Sequence, residues 1–501
     1  MAYDLLIRGA RIVDGGGGPR FAGDLAVRGD RIAAIGASLD VADAARVIEA
    51  HGRVLSPGFI DVHSHDDVAV LLDPEMAFKV SQGVTTEVVG NCGMGPAPRD
   101  LAAAFGQSLY PGRDVPRWEG HAGYLAHIDA DPPSLNVAVL AGHGTLRLAA
   151  MGAAKRAPTS AELDAMTDLL REGLHAGAVG FSSGLIYEPG MHAETTELVA
   201  LARAMAEIGG LYATHMRDES LALVDSVAEA IHIGEESGVP VQISHHKASG
   251  RLAWGKVSES LARIDEARRR GVDVTADQYP YTAASTILAA IVGGLTDRAD
   301  AGRRMPPEDV VLAACPGSPE LEGRSIADVA RERGRAPGDV ARELLAANGE
   351  KVWVVMHLMC EDDVRTVLRH PTTMIGSDGI PMAEGKPHPR LYGTFPRVLG
   401  HYVRDSGILA LEEAIHRMTG LPAAKFRLDR RGLLREGWYA DLVLFDPDTI
   451  GDRATYDEPR QTAAGIAEVL VNGTAVFRDG RHTAARPGRA ARRCPEGSPS
   501  P

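Results

Sequence analysis

Apolar and polar positions alternate in short runs over residues 1–56, in DLLIRGARIVDG, DLAVRGDRIAAIG and ARVIEAHGRVLSPG, with Gly- and Asp-containing turns between them. A period of two predicts half-buried strands, and the turns predict antiparallel pairing. The same texture returns near the other end, in ADLVLFDPDTI and AEVLVNGTAVFRDGR. Two β-rich ends around a long middle predict one small β-sandwich domain built from both termini, from residues 1–56 and 426–484.

The middle, residues 57–425, has a different rhythm. Short apolar runs recur, each followed by a segment of helical period: FIDVHSH, TTEVVGN, NVAVLAGH, AVGFSSG, LYATHMR, PVQISHH, DVTADQY, VWVVMH and TMIGSD. One linking helix is legible in detail. Thr159 and Glu162 have capping-box spacing, Leu163, Met166, Leu169, Leu170 and Leu174 share one face, and Gly177 supplies a stop before the next strand. Strand and helix in alternation imply parallel strands with right-handed crossovers, and about eight repeats imply an α/β fold closed as a (β/α)₈ TIM-like barrel. Nine candidate strands compete for eight places. The surplus is assigned to an inserted lid segment at about 288–355, rich in Arg, Pro and Gly. The last stretch, 485–501, reads as a disordered tail.

Composition narrows the function. The 501 residues are 45% hydrophobic and 24% charged, as in a globular protein, with a formal net charge of −14. An acidic surface repels nucleic acid and anionic lipid. No apolar stretch approaches the roughly 18 residues of a membrane span, and MAYDLLIRGARIVDGG lacks the apolar core of a signal peptide. The expected location is the cytoplasm, without nucleic-acid or membrane partners. The four cysteines are scattered with no CxxC pair, so no disulfide framework is expected.

Chemistry in a barrel sits at the C-terminal ends of its strands. Here the first candidate strand ends in His63-Ser64-His65, whose alternate positions point the same way. The second ends in the Gly-flanked Cys92, two later ones in His215 and His245, and the last in Asp378. So many converging polar groups would be costly to bury without a metal. Imidazoles, a thiolate and a carboxylate together favour zinc over magnesium or calcium.

GFIDVHSHDD after a β-rich leader, and ADLVLFDP near the end, resemble the amidohydrolase superfamily. GVTTEVVGNCGMGPAP, AGHGTLR, GFSSGLIYEPG, ATHMRDE, ISHHK, DQYPYTAAST, GSDG and HPRLYGTFPRVLG are similar, in order, to motifs of its D-aminoacylase (N-acyl-D-amino-acid deacylase) family, over nearly the whole chain. The resemblance implies that Cys92, His215 and His245 hold a tightly bound Zn²⁺. His63, His65 and Asp378 would surround a second, weaker position that Cys92 can bridge. The implied reaction is hydrolysis of the amide of a small N-acyl-D-amino acid.

An amide is a poor electrophile and water a poor nucleophile, and zinc addresses both. Asp378, at a strand end beside the metal, is placed to take a proton from water and return it to the leaving nitrogen. The substrate carboxylate needs a cation, for which Arg390 and Lys247 are candidates. By resemblance Tyr279 and Ser285 complete that pocket, and Tyr187 contacts the amide. His143, at another strand end, either orients a ligand or is structural, while His246 points away from His245. The nearest alternative is a cyclic-amide hydrolase of the dihydropyrimidinase or dihydroorotase type. A non-catalytic scaffold is disfavoured because every metal position is present. A serine nucleophile in GFSSG is set aside on its spacing. The preferred acyl group and side chain and the oligomeric state are not legible.

Overall fold

The computed structural model describes residues 2–295 and 305–494. The two ends of the chain share one nine-stranded sheet. The join is an antiparallel pair, Val54–Pro57 against Leu442–Phe445, with Val54 opposite Phe445 and Pro57 opposite Leu442. Alternation along Leu442–Phe445 explains why both faces are covered. Leu442 and Leu444 pack with Leu5, Ile7 and Leu55, while Val443 and Phe445 pack with Phe59 on the barrel side.

The barrel sheet has eight parallel strands in chain order: Phe59–Asp61, Val84–Val89, Asn136–Gly142, Gly180–Gly184, Leu211–His215, Val241–Ile243, Val274–Gln278 and Thr373–Ile375. The ring closes just beyond the strand ends. There the Asp378 amide donates to His63 O at 2.7 Å and the His65 amide to Gly379 O at 3.1 Å. This seam brings the first and last metal-type motifs together. The linking helix Ser160–Ala176 carries the Thr159–Glu162 capping box and ends at Gly177 with φ 114°. Met166, Leu170 and Leu174 are buried, with Leu163 and Leu169 packed at the margin of the same cluster.

The surplus ninth strand is VWVVMH. Trp353–Met356 is the middle of a separate three-stranded antiparallel sheet, between Ala284–Ile287 and Val310–Ala314. With the helices Ile326–Arg333 and Pro337–Asn348 it encloses its own apolar core, so the inserted segment is a small α/β unit whose first strand starts at Ala284. Residues 296–304 of that segment lie outside the described residues.

The expectation of a disordered tail from 485 onward is corrected for residues 485–494. Val137 N donates to Arg489 O at 2.9 Å and Ala491 N to Val137 O at 2.8 Å, so the tail lies along the third barrel strand. Arg492 and Arg486 pair with Asp129 and Asp131. Residues 495–501 lie outside the described residues. Among the described residues no helix is long and apolar enough to cross a membrane.

Candidate metal centre and active site

The six strand-end residues converge. Cys92 Sγ lies 3.3 Å from His63 Nε2, 3.5 Å from His215 Nδ1 and 3.5 Å from His245 Nε2. Asp378 Oδ1 lies 3.1 Å from His65 Nε2 and 3.6 Å from His63 Nε2. Three ligand sets result, each with its donor atoms within 4.8 Å of one another: Cys92–His215–His245, His63–His65–Cys92 and His63–His245–Asp378.

The donor spacing fits a zinc ion. Bonds of about 2.3 Å to sulfur and about 2.05 Å to nitrogen at a tetrahedral angle give an S···N edge of about 3.6 Å, close to the 3.5 Å found from Cys92 to His215 and His245. The thiol is also prepared as a ligand. Burial alone would raise its pKa, but the surrounding histidines, His63 foremost, hold it well below the ordinary thiol value. Cys92, His245 and Asp378 all occupy left-handed backbone, at φ 54°, 35° and 50°, a strained conformation for non-glycine residues.

Behind the donors stand residues that the sequence did not single out. Asp277 Oδ1 accepts the His245 amide at 2.8 Å and faces His63 Nδ1 at 3.4 Å. Glu219 Oε1 lies 2.8 Å from His245 Nδ1 and 2.6 Å from Lys247 Nζ. Burial pushes the Glu219 pKa up, but Lys247, His245 and His215 outweigh it and hold the carboxyl well below its usual range. At the barrel seam, Asp61 accepts the Ser377 amide at 2.8 Å and Lys79 Nζ at 2.5 Å, and Lys79 also reaches Asp66 at 3.0 Å. Each of these groups sits inside or just after a strand motif quoted above, except Lys79, which the hydrophobic pattern offered no reason to notice.

The candidate substrate residues line one side of the same space. Arg390 is fully buried, with its guanidinium 4.5 Å from the Tyr279 ring centre. Its Nη1 lies 2.8 Å from Asp378 Oδ2, a pairing the sequence did not suggest, and this cation holds the Asp378 pKa well down against the upward push of burial. Ser285 comes from the edge strand of the inserted unit, and among the described residues its buried Oγ has no hydrogen-bond partner. Tyr187 packs edge-on against His215 at 4.9 Å and its hydroxyl lies 3.3 Å from Thr286 Oγ1. Two histidines look elsewhere: His143 Nε2 bonds Glu197, which also pairs Arg147, and His246 Nε2 bonds Ser260 Oγ.

GFSSG does have the G-x-S-x-G spacing of a nucleophile elbow, so spacing was the wrong ground for setting it aside. The geometry supplies the right one. Gly180–Gly184 is an extended barrel strand, not a strand-to-helix turn, and the fully buried Ser182 Oγ is occupied by Gly90 O and the Gly93 amide.

Over residues 46–477 the chain matches the model of the amidohydrolase family, and it belongs to that family. It is 44% identical to the D-aminoacylase of Alcaligenes xylosoxydans xylosoxydans, over 98% of both chains. It is 44% identical to the N-acyl-D-glutamate deacylase of the same organism, over 98% of this chain and 96% of that one. Among solved structures, the N-acyl-D-glutamate deacylase of Bordetella bronchiseptica, complexed with zinc and a phosphonate mimic of the tetrahedral intermediate, superposes with a TM-score of 0.89. The identity is 42%, covering 98% of this chain and 100% of that one. The L-hydantoinase of Arthrobacter aurescens, at 16% identity and TM-score 0.56, shares the fold.

Proposed function

We propose that this protein is a zinc-dependent deacylase that hydrolyses N-acyl-D-amino acids to a carboxylate and a free D-amino acid. The observation that carries this is the thiol of Cys92 with nitrogens of His63, His215 and His245 at 3.3–3.5 Å and Asp378 3.6 Å from His63. In this reading Cys92, His215 and His245 hold the tighter zinc, while His63, His65 and Asp378, with Cys92 shared, surround a weaker second position. The D-aminoacylase and deacylase relatives, which match over nearly the full length, support the substrate class.

When bound, zinc supplies a Lewis acid for the amide carbonyl and makes water acidic enough to ionise near neutrality. The chain supplies the rest. Asp378 removes a proton from the attacking water as the C–O bond forms, then delivers it to the nitrogen as the C–N bond breaks. Arg390, pre-set on the Tyr279 face, takes the substrate carboxylate through its planar fork. Lys247 adds a second charge, and the unpartnered Ser285 hydroxyl and Tyr279 add hydrogen bonds. Tyr187, against His215, meets the scissile amide. His143, tied to Glu197, supports the wall behind. A site that depends on a reduced Cys92 suits the cytoplasm.

The test is amine release from a panel of N-acetyl-D- and N-acetyl-L-amino acids with added zinc, run beside hydantoin and dihydroorotate. D-selective release is expected. Turnover confined to the cyclic amides would replace this reading with the cyclic-amide one, and purified protein that takes up no zinc would restore the scaffold.

A further inference from the structure

We infer that Glu219 is a positioning residue that sets His215, His245 and the Lys247 ammonium from a single carboxylate. This rests on the zinc reading above.

The geometry is specific. Glu219 follows the fifth barrel strand by four residues, on a loop pinned on both sides. Arg217 pairs with Glu229 at 2.9 Å, Asp218 Oδ1 accepts the amides of Ser220 and Ala222, and the carbonyl of Glu219 itself accepts the Ser249 amide at 2.7 Å. The side chain is 11% exposed. Its Oε1 lies 2.8 Å from His245 Nδ1, and its Oε2 lies 3.8 Å from His215 Nε2. These are the ring nitrogens opposite the ones that face the thiol: His245 presents Nε2 to Cys92 and His215 presents Nδ1. One carboxylate therefore stands behind both rings.

Proton counting makes the placement consequential. A neutral imidazole has one N–H, so a ring nitrogen can take a metal only when the other carries the proton. For His245 to offer Nε2, its Nδ1 must be protonated and needs an acceptor, and Glu219 Oε1 is within hydrogen-bond distance. Lys247 Nζ also lies 2.8 Å from His245 Nδ1, but an ammonium has no lone pair to accept a proton. Without Glu219, Lys247 would remain at Nδ1 as a donor with no acceptor beside it, which drives the proton to Nε2, the wrong tautomer for binding. Among the described residues the buried His215 Nε2 has no hydrogen-bond partner, and the charged Oε2 of Glu219 faces it from 3.8 Å, close enough to favour a proton there though beyond hydrogen-bond length.

Residues that orient metal-binding histidines typically change affinity or activity 10- to 100-fold when lost. The experiment is competitive zinc titration against a chromogenic chelator, on wild type, Glu219→Ala, Glu219→Gln and a control, Glu229→Gln, that disturbs the neighbouring loop without facing either ring. Glu219→Ala is expected to weaken zinc binding by roughly 10- to 100-fold, and Glu219→Gln, which keeps an acceptor but no charge, by less. Glu229→Gln should stay within about twofold of wild type. Glu219→Ala within twofold of wild type overturns the assignment. So does a loss for Glu229→Gln as large as that for Glu219→Ala, which would make the effect one of loop structure. If Glu219→Ala does not fold, Glu219→Gln decides, and unchanged zinc affinity there overturns it. Failure of the wild type to bind zinc would instead sink the reading on which the inference rests.

Discussion

The Lys79 cluster makes a quantitative demand. Lys79 and its partners Asp61 and Asp66 have no solvent-accessible side-chain surface, and the ammonium reaches the two acids at 2.5 and 3.0 Å and Ser377 Oγ at 2.9 Å. Lys79→Met removes the cation at nearly constant volume and leaves the buried acids Asp61, Asp66 and, at 3.9 Å, Glu87 without it. Breaking a buried pair from one side costs about 3–5 kcal/mol, or roughly two to three and a half powers of ten in the folding equilibrium. The surface pair Arg203–Glu236, 57% and 45% exposed, is a fit comparison. There Arg203→Ala should cost under about 1 kcal/mol. Urea unfolding followed by tryptophan fluorescence measures both. Lys79→Met/Asp61→Asn should be less destabilised than the sum of its single variants, because an amide does not need the ammonium. A Lys79→Met midpoint no lower than that of Arg203→Ala would refute the reasoning. Activity should fall with stability, since Asp61 carries the Ser377 amide next to Asp378.

Three further outcomes are expected. Asp378→Asn should lower kcat by roughly 10²–10⁴ while the zinc at Cys92, His215 and His245 is retained, as read by metal analysis of the same sample. Arg390→Lys should lower kcat/KM roughly tenfold or more for N-acetyl-D-amino acids but much less for carboxamide-capped versions. An equal loss on both would remove the carboxylate role. For pH, burial depresses the Lys425 pKa from 10.5 to about 8 despite its bond to Asp273. Between these values the unfolded chain holds the extra proton, so wild type should gain about 3 kcal/mol relative to Lys425→Met as pH rises from 8 to 10.5, with a constant gap below pH 8. Urea midpoints across that range check the sign.

Much of this site was legible because a barrel projects its chemistry from strand ends, and strand ends are marked by apolar runs. His63, His65, Cys92, His215, His245 and Asp378 were all found that way. The pattern failed where identity depended on the third dimension. VWVVMH has the apolar signature of a barrel strand, and only its antiparallel partners assign it to the inserted sheet. Residues 485–494 have little apolar surface, yet they are ordered because their backbone finds partners along the third strand, an interaction that composition does not encode. Glu219 lies within ATHMRDE, but its partner Lys247 is 28 residues away, beyond the next barrel strand, so nothing local in the sequence pairs them. Arg390 reads from the sequence as the cation for the substrate carboxylate, and its pairing with Asp378 depends on how the helix that begins at Arg390 folds back on the end of the last strand.

The same contacts say what holds the site in shape. Left-handed backbone at a non-glycine residue costs of order 1–3 kcal/mol, and it persists where the surroundings over-determine it. Each strained corner here is tied by protein groups. Asp378 N is held by His63 O, and His245 N by Asp277 Oδ1. On either side of Cys92, Asn91 O accepts from Met94 N and the Gly93 amide donates to Ser182 Oγ. The close packing of the Cys92 corner leaves no slack, since a Cβ on Gly184 would lie 2.1 Å from Cys92 O. The backbone thus aims the thiol, one imidazole and the acid through bonds that involve no metal.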